Sequence, residues 1–222
     1  MPELVNPNDR PRLAICVPGN SYSWQWMFYF VELFPYLLNN FRLNVNFSSG
    51  CNIYEVRNGA ANTVLSFKEG VPDYVLWIDS DNCVTVDGFC RLKDALDKIP
   101  EACAVGAWYT YLHQDGTVDV AAGTVGDQAQ HPKVYAIRSM HEGELMEVDY
   151  IGFGFLLMRG EALKALGKNP FKPMAMENTA CGFEIDDVAF CRAAREKGYK
   201  FFLHPKVNAP HLKLLTVPID AD

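Results

Sequence analysis

Two aspartates one residue apart, Asp79 and Asp81, follow an unbroken apolar run from Tyr74 to Ile78. A buried strand of that kind delivers them to the carboxyl edge of a sheet, where open α/β sheets bind ligands. Carboxylate oxygens suit a hard divalent cation, and such a cation can be shared with a diphosphate. An Asp at a strand end also caps the following turn, so the pair gains meaning only from distant matches. One match is His211 in NAPHLK, an imidazole that would make a third ligand and that suits Mn²⁺ better than Mg²⁺. Another is EIDDVAFCRAAR, where Glu184, Asp186 and Asp187 precede or open an amphipathic stretch. Carboxylates there meet the positive end of a helix dipole, and any of the three can act as a general base toward a hydroxyl. Arg57-Asn58 adds a cation that can reach a phosphate or a base, or simply sit at the surface.

The elements that must hold these residues follow from periodicity. Apolar runs read as strands at Arg12–Val17, Leu43–Ser48, Tyr74–Ile78 and Ala102–Trp108. Helical spacing fills the gaps at Trp24–Asn39, Ile53–Phe67 and Val86–Ile99. This alternation predicts a mostly parallel sheet with helices on both faces. The later part is less regular, with short strands at Val118–Ala121, Val134–Ile137, Met146–Tyr150 and Phe153–Met158. A short helix at Glu161–Leu166, a longer one at Asp186–Lys197 ended by Gly198, and a strand at Lys200–His204 complete the reading. No repeat or linker interrupts it, so residues 1–222 read as one domain. Its regular strand–helix half is about 12–111 and its less regular half about 112–213.

Composition narrows the function classes. The chain has 222 residues, 49% of them hydrophobic, and a formal charge of −7. That charge argues against general electrostatic binding to nucleic acid or an anionic membrane. Seven cysteines without a CxxC pair read as reduced thiols rather than disulfides or a zinc site. The start MPELVNPNDRPR is no signal peptide, and the apolar window Trp26–Leu38 is too short to span a membrane. A soluble, cytoplasmic protein is expected.

Taken in order, the motifs resemble the GT-A fold glycosyltransferases, especially the family 2-like group, over about Arg12 to Lys213. The marks are Val17-Pro18-Gly19, Arg57-Asn58, Trp77-Ile78-Asp79-Ser80-Asp81, Gly152-Phe153-Gly154-Phe155 with Arg159, Asp186-Asp187-Val188 and His211. The resemblance implies a single-domain α/β, Rossmann-like fold and transfer of a sugar, with inversion, from a nucleotide donor, UDP first. Mn²⁺ or Mg²⁺ would be held by Asp81 and His211, with Asp79 on a ribose or a metal-bound water. Pro18, Gly19, Asn20, Arg57, Asn58, Asp79 and Ser80 would line the nucleotide site. Gly152, Phe153, Gly154 and Trp108 would face sugar or acceptor, although the glycines also fit a bulged strand. Asp187 would be the base, with Asp186 where the family carries Glu and Glu184 close by, so all three stay candidates. The early Asp that reads uracil is not evident after Phe47, and Ser48, Ser49 or the backbone near Pro18 would take over that work, which leaves the nucleotide base open. The acceptor is a glycan, protein or modified-base hydroxyl, nucleic acid entering only in that role. The stretches Leu112–Glu144 and Lys168–Gly182 would supply acceptor recognition or a lid. Nucleotidyl transfer and a non-catalytic sugar-nucleotide binder are the alternatives, although no P-loop is present.

Overall fold

A computed structural model describes residues 7–112, 116–125, 134–136, 143–175 and 182–212. After a short 3₁₀ turn come β1 (Arg12–Pro18), α1 (Trp24–Asn40), β2 (Arg42–Ser48), α2 (Ile53–Leu65) and β3 (Tyr74–Ile78). Next are α3 (Val86–Lys98), β4 (Ala102–Trp108), β5 (Thr110–Leu112), β6 (Val118–Val120), β7 (Ala122–Val125) and β8 (Val134–Ala136). The described chain ends with β9 (Met146–Val148), β10 (Tyr150–Ile151), β11 (Phe155–Arg159), α4 (Gly160–Leu166), α5 (Asp186–Arg195) and β12 (Lys200–Asn208).

The main sheet has seven strands in the order β2-β1-β3-β11-β4-β12-β9. β1 runs parallel to β2 and β3, and β12 parallel to β4, while β11 and β9 run against their neighbours. The expected mostly parallel α/β sheet is therefore present, with β11 from the later part of the chain wedged between β3 and β4. Smaller sheets form from β10, β7 and β8 and from the β5–β6 hairpin.

The period-2 alternation of strands sorts the core into two layers. Leu13, Ile15, Val17, Leu76 and Ile78 pack with Trp26, Leu33 and Leu37 of α1 and Phe89 and Leu92 of α3. Ala14, Cys16, Val75 and Trp77 point the other way, onto Ala60, Ala61 and Val64 of α2 and Phe190 and Ala194 of α5. Hydroxyl or amide caps start the first three helices: Ser23 accepts from the Trp26 N–H, Asn52 from Tyr54 and Thr85 from Gly88. Helix α5 has no side-chain N-cap, and of its first-turn acids Asp187 accepts from the Val188 N–H and Asp186 from Arg57.

The first-half elements agree with the sequence reading to within a residue or two; the later elements differ more. The strand expected over Met146–Tyr150 is broken at Asp149, whose carboxylate accepts from the Val125 N–H at 2.8 Å and pairs with Arg195. Met146–Val148 thus edges the main sheet, while Tyr150–Ile151 joins β7. The strand expected from Phe153 begins at Phe155, and α5 ends at Arg195, with Gly198 (φ 85) taking the left-handed turn that follows. The last strand runs on to Asn208, and β5 and β7 carry no periodicity strong enough to find from sequence. Residues 113–115, 126–133, 137–142, 176–181 and 213 of the expected acceptor and lid stretches lie outside the described residues.

Candidate active site

Because β1 and β3 are parallel neighbours, their carboxyl ends place Pro18-Gly19-Asn20 beside Asp79-Ser80-Asp81. The approach is close: a Cβ on Gly19 would fall inside contact distance of the Ser80 side chain, so only glycine fits. The Gly19 N–H donates to Ser48 O at 2.9 Å, and the Asn20 amide bonds both backbone groups of Gly50 at 3.0 Å. These loops enclose a cleft of about 270 Å³, with Asp79, Ser80 and Asp81 on one wall. A second cleft of about 620 Å³, between Tyr22, Trp24 and Leu212, shares Ser80 and Asp81. The Ser48 hydroxyl is buried without a hydrogen-bond partner.

The chain from β12 returns across this edge. Leu212 N–H donates to Asp81 O at 2.6 Å, and Asn82, fully buried, donates its amide to Ala209 O at 2.9 Å. His211 Nε2 thereby lies 2.7 Å from Asp81 Oδ2, while Nδ1 is 3.3 Å from Thr110 O. Carbonyl and carboxylate oxygens both only accept, so the ring donates from Nε2 to Asp81 at the shorter distance or from Nδ1 to Thr110, and in the second case Nε2 faces the carboxylate with its lone pair. Two lone-pair groups facing each other suit a shared proton or cation. Among the described residues no three His, Cys, Asp or Glu groups converge as a full ligand set. However, a divalent cation held with substrate phosphates commonly takes only one or two protein carboxylates. Asp81 and His211 therefore fit such an ion, and Asp79 Oδ1, buried without a partner, is a further oxygen near it.

Arg57 ties this edge to α5. It is 5% exposed; its Nη2 donates to Asp79 Oδ2 at 3.0 Å and its Nε donates to Asp186 Oδ2. The guanidinium carbon lies 5.2 Å from the centre of the Phe153 ring, and Nη1 is buried without a partner. Burial would make the guanidinium easier to deprotonate, but the charges of Asp79 and Asp186 outweigh it and hold the proton more tightly. Burial likewise raises the proton affinity of Asp79, against the pull of Arg57.

The neighbour of Asp186 has the property a base requires. Burial first, then the charge of Asp186, pushes the Asp187 carboxyl up to about 7, with Arg57 working the other way. Its Oδ1 accepts from the Val188 N–H at 2.8 Å. Glu184 is differently placed: 2% exposed, its carboxylate accepts from Arg192 Nε at 2.9 Å and from the Met174 N–H at 3.2 Å. That carboxylate is committed to structure, whereas those of Asp186 and Asp187 belong to the Arg57 network.

Several other sequence-derived candidates carry structural duties here. Phe153 is fully buried among Trp77, Phe171 and Phe190. Gly152 and Gly154 leave room for the Tyr109 ring and the Asn82 amide, where a Cβ would collide. Asn58 bonds both backbone groups of Phe171, at 2.8 and 2.9 Å. The half-buried Trp108 donates its indole N–H to Pro205 O at 3.0 Å. Arg159 donates to the carbonyls of Leu96, Ile99 and Ala102, away from Asp79. What the motifs did not reveal is Tyr109, whose hydroxyl accepts from the Gly154 N–H at 3.3 Å and whose ring lies 5.3 Å from that of His211. Its proton is held well above the ordinary tyrosine value by burial first, then by the charges of Asp79 and Asp187. A tyrosine that follows an apolar strand reads as core, so only the fold reveals its place.

No family model matches the chain, and no curated protein matches it in sequence. Solved structures do match. A197 from STIV superposes with a TM-score of 0.59 at 16% identity, covering 91% of this chain and 86% of that one. GalNAc-T7, solved with UDP, GalNAc and Mn²⁺, gives a TM-score of 0.59 at 11% identity, covering 93% of this chain and 45% of its own. The mannosyltransferase PcManGT from Pyrobaculum calidifontis, solved with GDP-Man and Mn²⁺, gives 0.52 at 12%, covering 93% of this chain and 58% of its own. This chain thus spans about half the length of the latter two. At these identities the likeness is one of fold, and the fold is GT-A-like. No described helix is long and apolar enough to cross a membrane.

Proposed function

We propose that the protein is a metal-dependent glycosyltransferase that moves a sugar from a nucleotide donor, UDP-linked first and GDP-linked second, to an acceptor hydroxyl with inversion. The observation that carries this reading is the buried Arg57 bridge. Through Asp79 and Asp186 it sets the Asp81–His211 pair and Asp187 at one sheet edge. The solved neighbours support it in fold, since two of them hold nucleotide or nucleotide-sugar with Mn²⁺.

The nucleotide would lie in the cleft between Gly19, Asn20 and Ser80, with a ribose hydroxyl meeting the unpartnered Asp79 Oδ1. Asp81 and His211 would hold Mn²⁺ or Mg²⁺, which supplies charge neutralisation of the diphosphate leaving group. Asp187 removes the proton of the acceptor hydroxyl. The acceptor oxygen then bonds to the anomeric carbon as the carbon–phosphate-oxygen bond breaks, its electron pair leaving on the diphosphate. A carboxylate with a proton affinity near 7 suits this work at neutral pH. The preformed charges of Arg57 and its two partners avoid reorganisation as charge shifts.

The test is release of nucleoside diphosphate from UDP- and GDP-sugars, with Mn²⁺ and with chelator. Metal-dependent release that is lost in Asp81→Ala is the expected result. Release of pyrophosphate instead would indicate nucleotidyl transfer, and binding without turnover would leave a sugar-nucleotide binder.

A further inference from the structure

Tyr150 is 2% exposed, yet its hydroxyl has no hydrogen-bond partner. A buried hydroxyl left unpaired costs stability, and native proteins rarely keep one without a use. Its position suggests the use. Strand β10 packs against α5, which carries Asp187, and joins the sheet of β7. The β5–β6 hairpin supplies the other side: Tyr111 and Asp119 are paired opposite each other in its register. Strand β10 adjoins the base of this hairpin: Tyr150 pairs with Gly123, the Gly152 N–H donates to Ala121 O at 2.6 Å, and the Ala121 N–H donates to Tyr109 O at 3.0 Å. The Tyr150 proton is held more tightly than usual, by burial first, then by Tyr111, Asp187 and Asp119. Burial first, then the charges of Asp119 and Asp187, likewise hold the Tyr111 proton more tightly.

We infer that Tyr150, Tyr111 and Asp119 form the acceptor subsite beside Asp187, and that it takes a neutral, hydroxyl-rich acceptor, a sugar of a glycan. This rests on the transferase reading above and deepens it. A phenol hydroxyl and carboxylates can give to and accept from sugar hydroxyls, and aromatic rings suit the apolar faces of a sugar. The same carboxylates repel phosphate, so a nucleic-acid strand or a phosphorylated glycan is disfavoured.

The experiment is binding of the whole chain to an array of neutral glycans, phosphorylated glycans and single-stranded oligonucleotides. The best glycan is then titrated into wild type, Tyr150→Phe and Asp119→Asn. Expected are binding to neutral glycans and a loss of about five- to tenfold in affinity for each variant, the scale of one hydrogen bond. Tyr150→Phe should meanwhile melt no lower than wild type, because its hydroxyl has no partner within the protein. Equal affinity in Tyr150→Phe, a melting point several degrees lower, preference for the anionic ligands, or no glycan binding by wild type would each overturn the inference. Metal-dependent donor hydrolysis is read separately. Hydrolysis without glycan binding sinks this subsite alone, whereas glycan binding without hydrolysis sinks the transferase reading and leaves a sugar site.

Discussion

Replacing Arg57 by Met is the perturbation most directly specified by the structure. The guanidinium is 5% exposed, and the side chains it pairs, Asp79 and Asp186, are 21% and 16% exposed. Removing it strands two largely buried carboxylates. Breaking one buried pair costs about 3–5 kcal/mol, because the remaining charge is uncompensated. Partial solvation of both acids, and their ability to take up a proton, brings the expected loss to about 3 kcal/mol. For a chain of this size that is a fall of roughly 6–12 °C in melting temperature. Arg57→Lys should recover only part, since one ammonium cannot hold both acids in the planar geometry of a guanidinium. The decisive variant is Arg57→Met with Asp79→Asn and Asp186→Asn together, where no buried charge is left over. It should melt above Arg57→Met alone. Thermal unfolding at neutral pH reads all four proteins. If Arg57→Met costs under about 1 kcal/mol, or the triple variant is less stable than the single, the bridge does not organise the site as argued.

Other outcomes follow from the same geometry. The Asp187 carboxyl, raised from 3.8 to about 7, takes up its proton more readily folded than unfolded. Its contribution to stability is therefore complete below pH about 4 and lost as pH rises through about 7. Chemical denaturation across that window should show a decline that shrinks in Asp187→Asn. In activity, Asp187→Asn should abolish acceptor-dependent transfer, while Glu184→Gln should lower melting temperature through Arg192 but retain the wild-type pH profile; the reverse pattern would make Glu184 the base. Gly19→Ala should cost about 1–3 kcal/mol by overpacking against Ser80, with recovery in Gly19→Ala/Ser80→Gly, measured by urea denaturation. UDP or GDP at 100 times its dissociation constant should stabilise wild type by about 2.7 kcal/mol only with Mn²⁺ present, and Asp81→Ala should lose that thermal shift.

The first half of the fold was legible because its strands are short apolar runs separated by amphipathic helices with caps, so local pattern and burial agree. Asp79, Asp81, Asp186, Asp187 and His211 were findable since charged residues beside such elements stand out. Legibility ended where one residue type serves two purposes. The glycines around Phe153 suggested an open ligand surface, yet their missing side chains make room for Tyr109 and Asn82. Tyr109, between β4 and β5, and Tyr150, in β10, sit among apolar residues and read as core, which by burial they are. Their hydroxyls acquire meaning only when β5, β10 and α5 are brought together. The break at Asp149 depends on Val125 and Arg195, contacts too distant in sequence for any local pattern to reveal.

The position of β11 has a consequence for how the chain is made. Phe155–Arg159 pairs with β3 on one side and β4 on the other, so no direct β3–β4 pairing exists to form early. A nascent chain that has completed β4 holds two apolar strands with a gap between them until residue 159 leaves the ribosome. The sheet beyond β4 waits longer still, for β12 near the carboxyl terminus. Closure thus depends on contacts far apart in sequence, the kind that slow folding and expose strand edges meanwhile. Synthesis that stalls before residue 155 would leave a sticky, half-built sheet, and residues 155–208 act as the keystone of the first hundred.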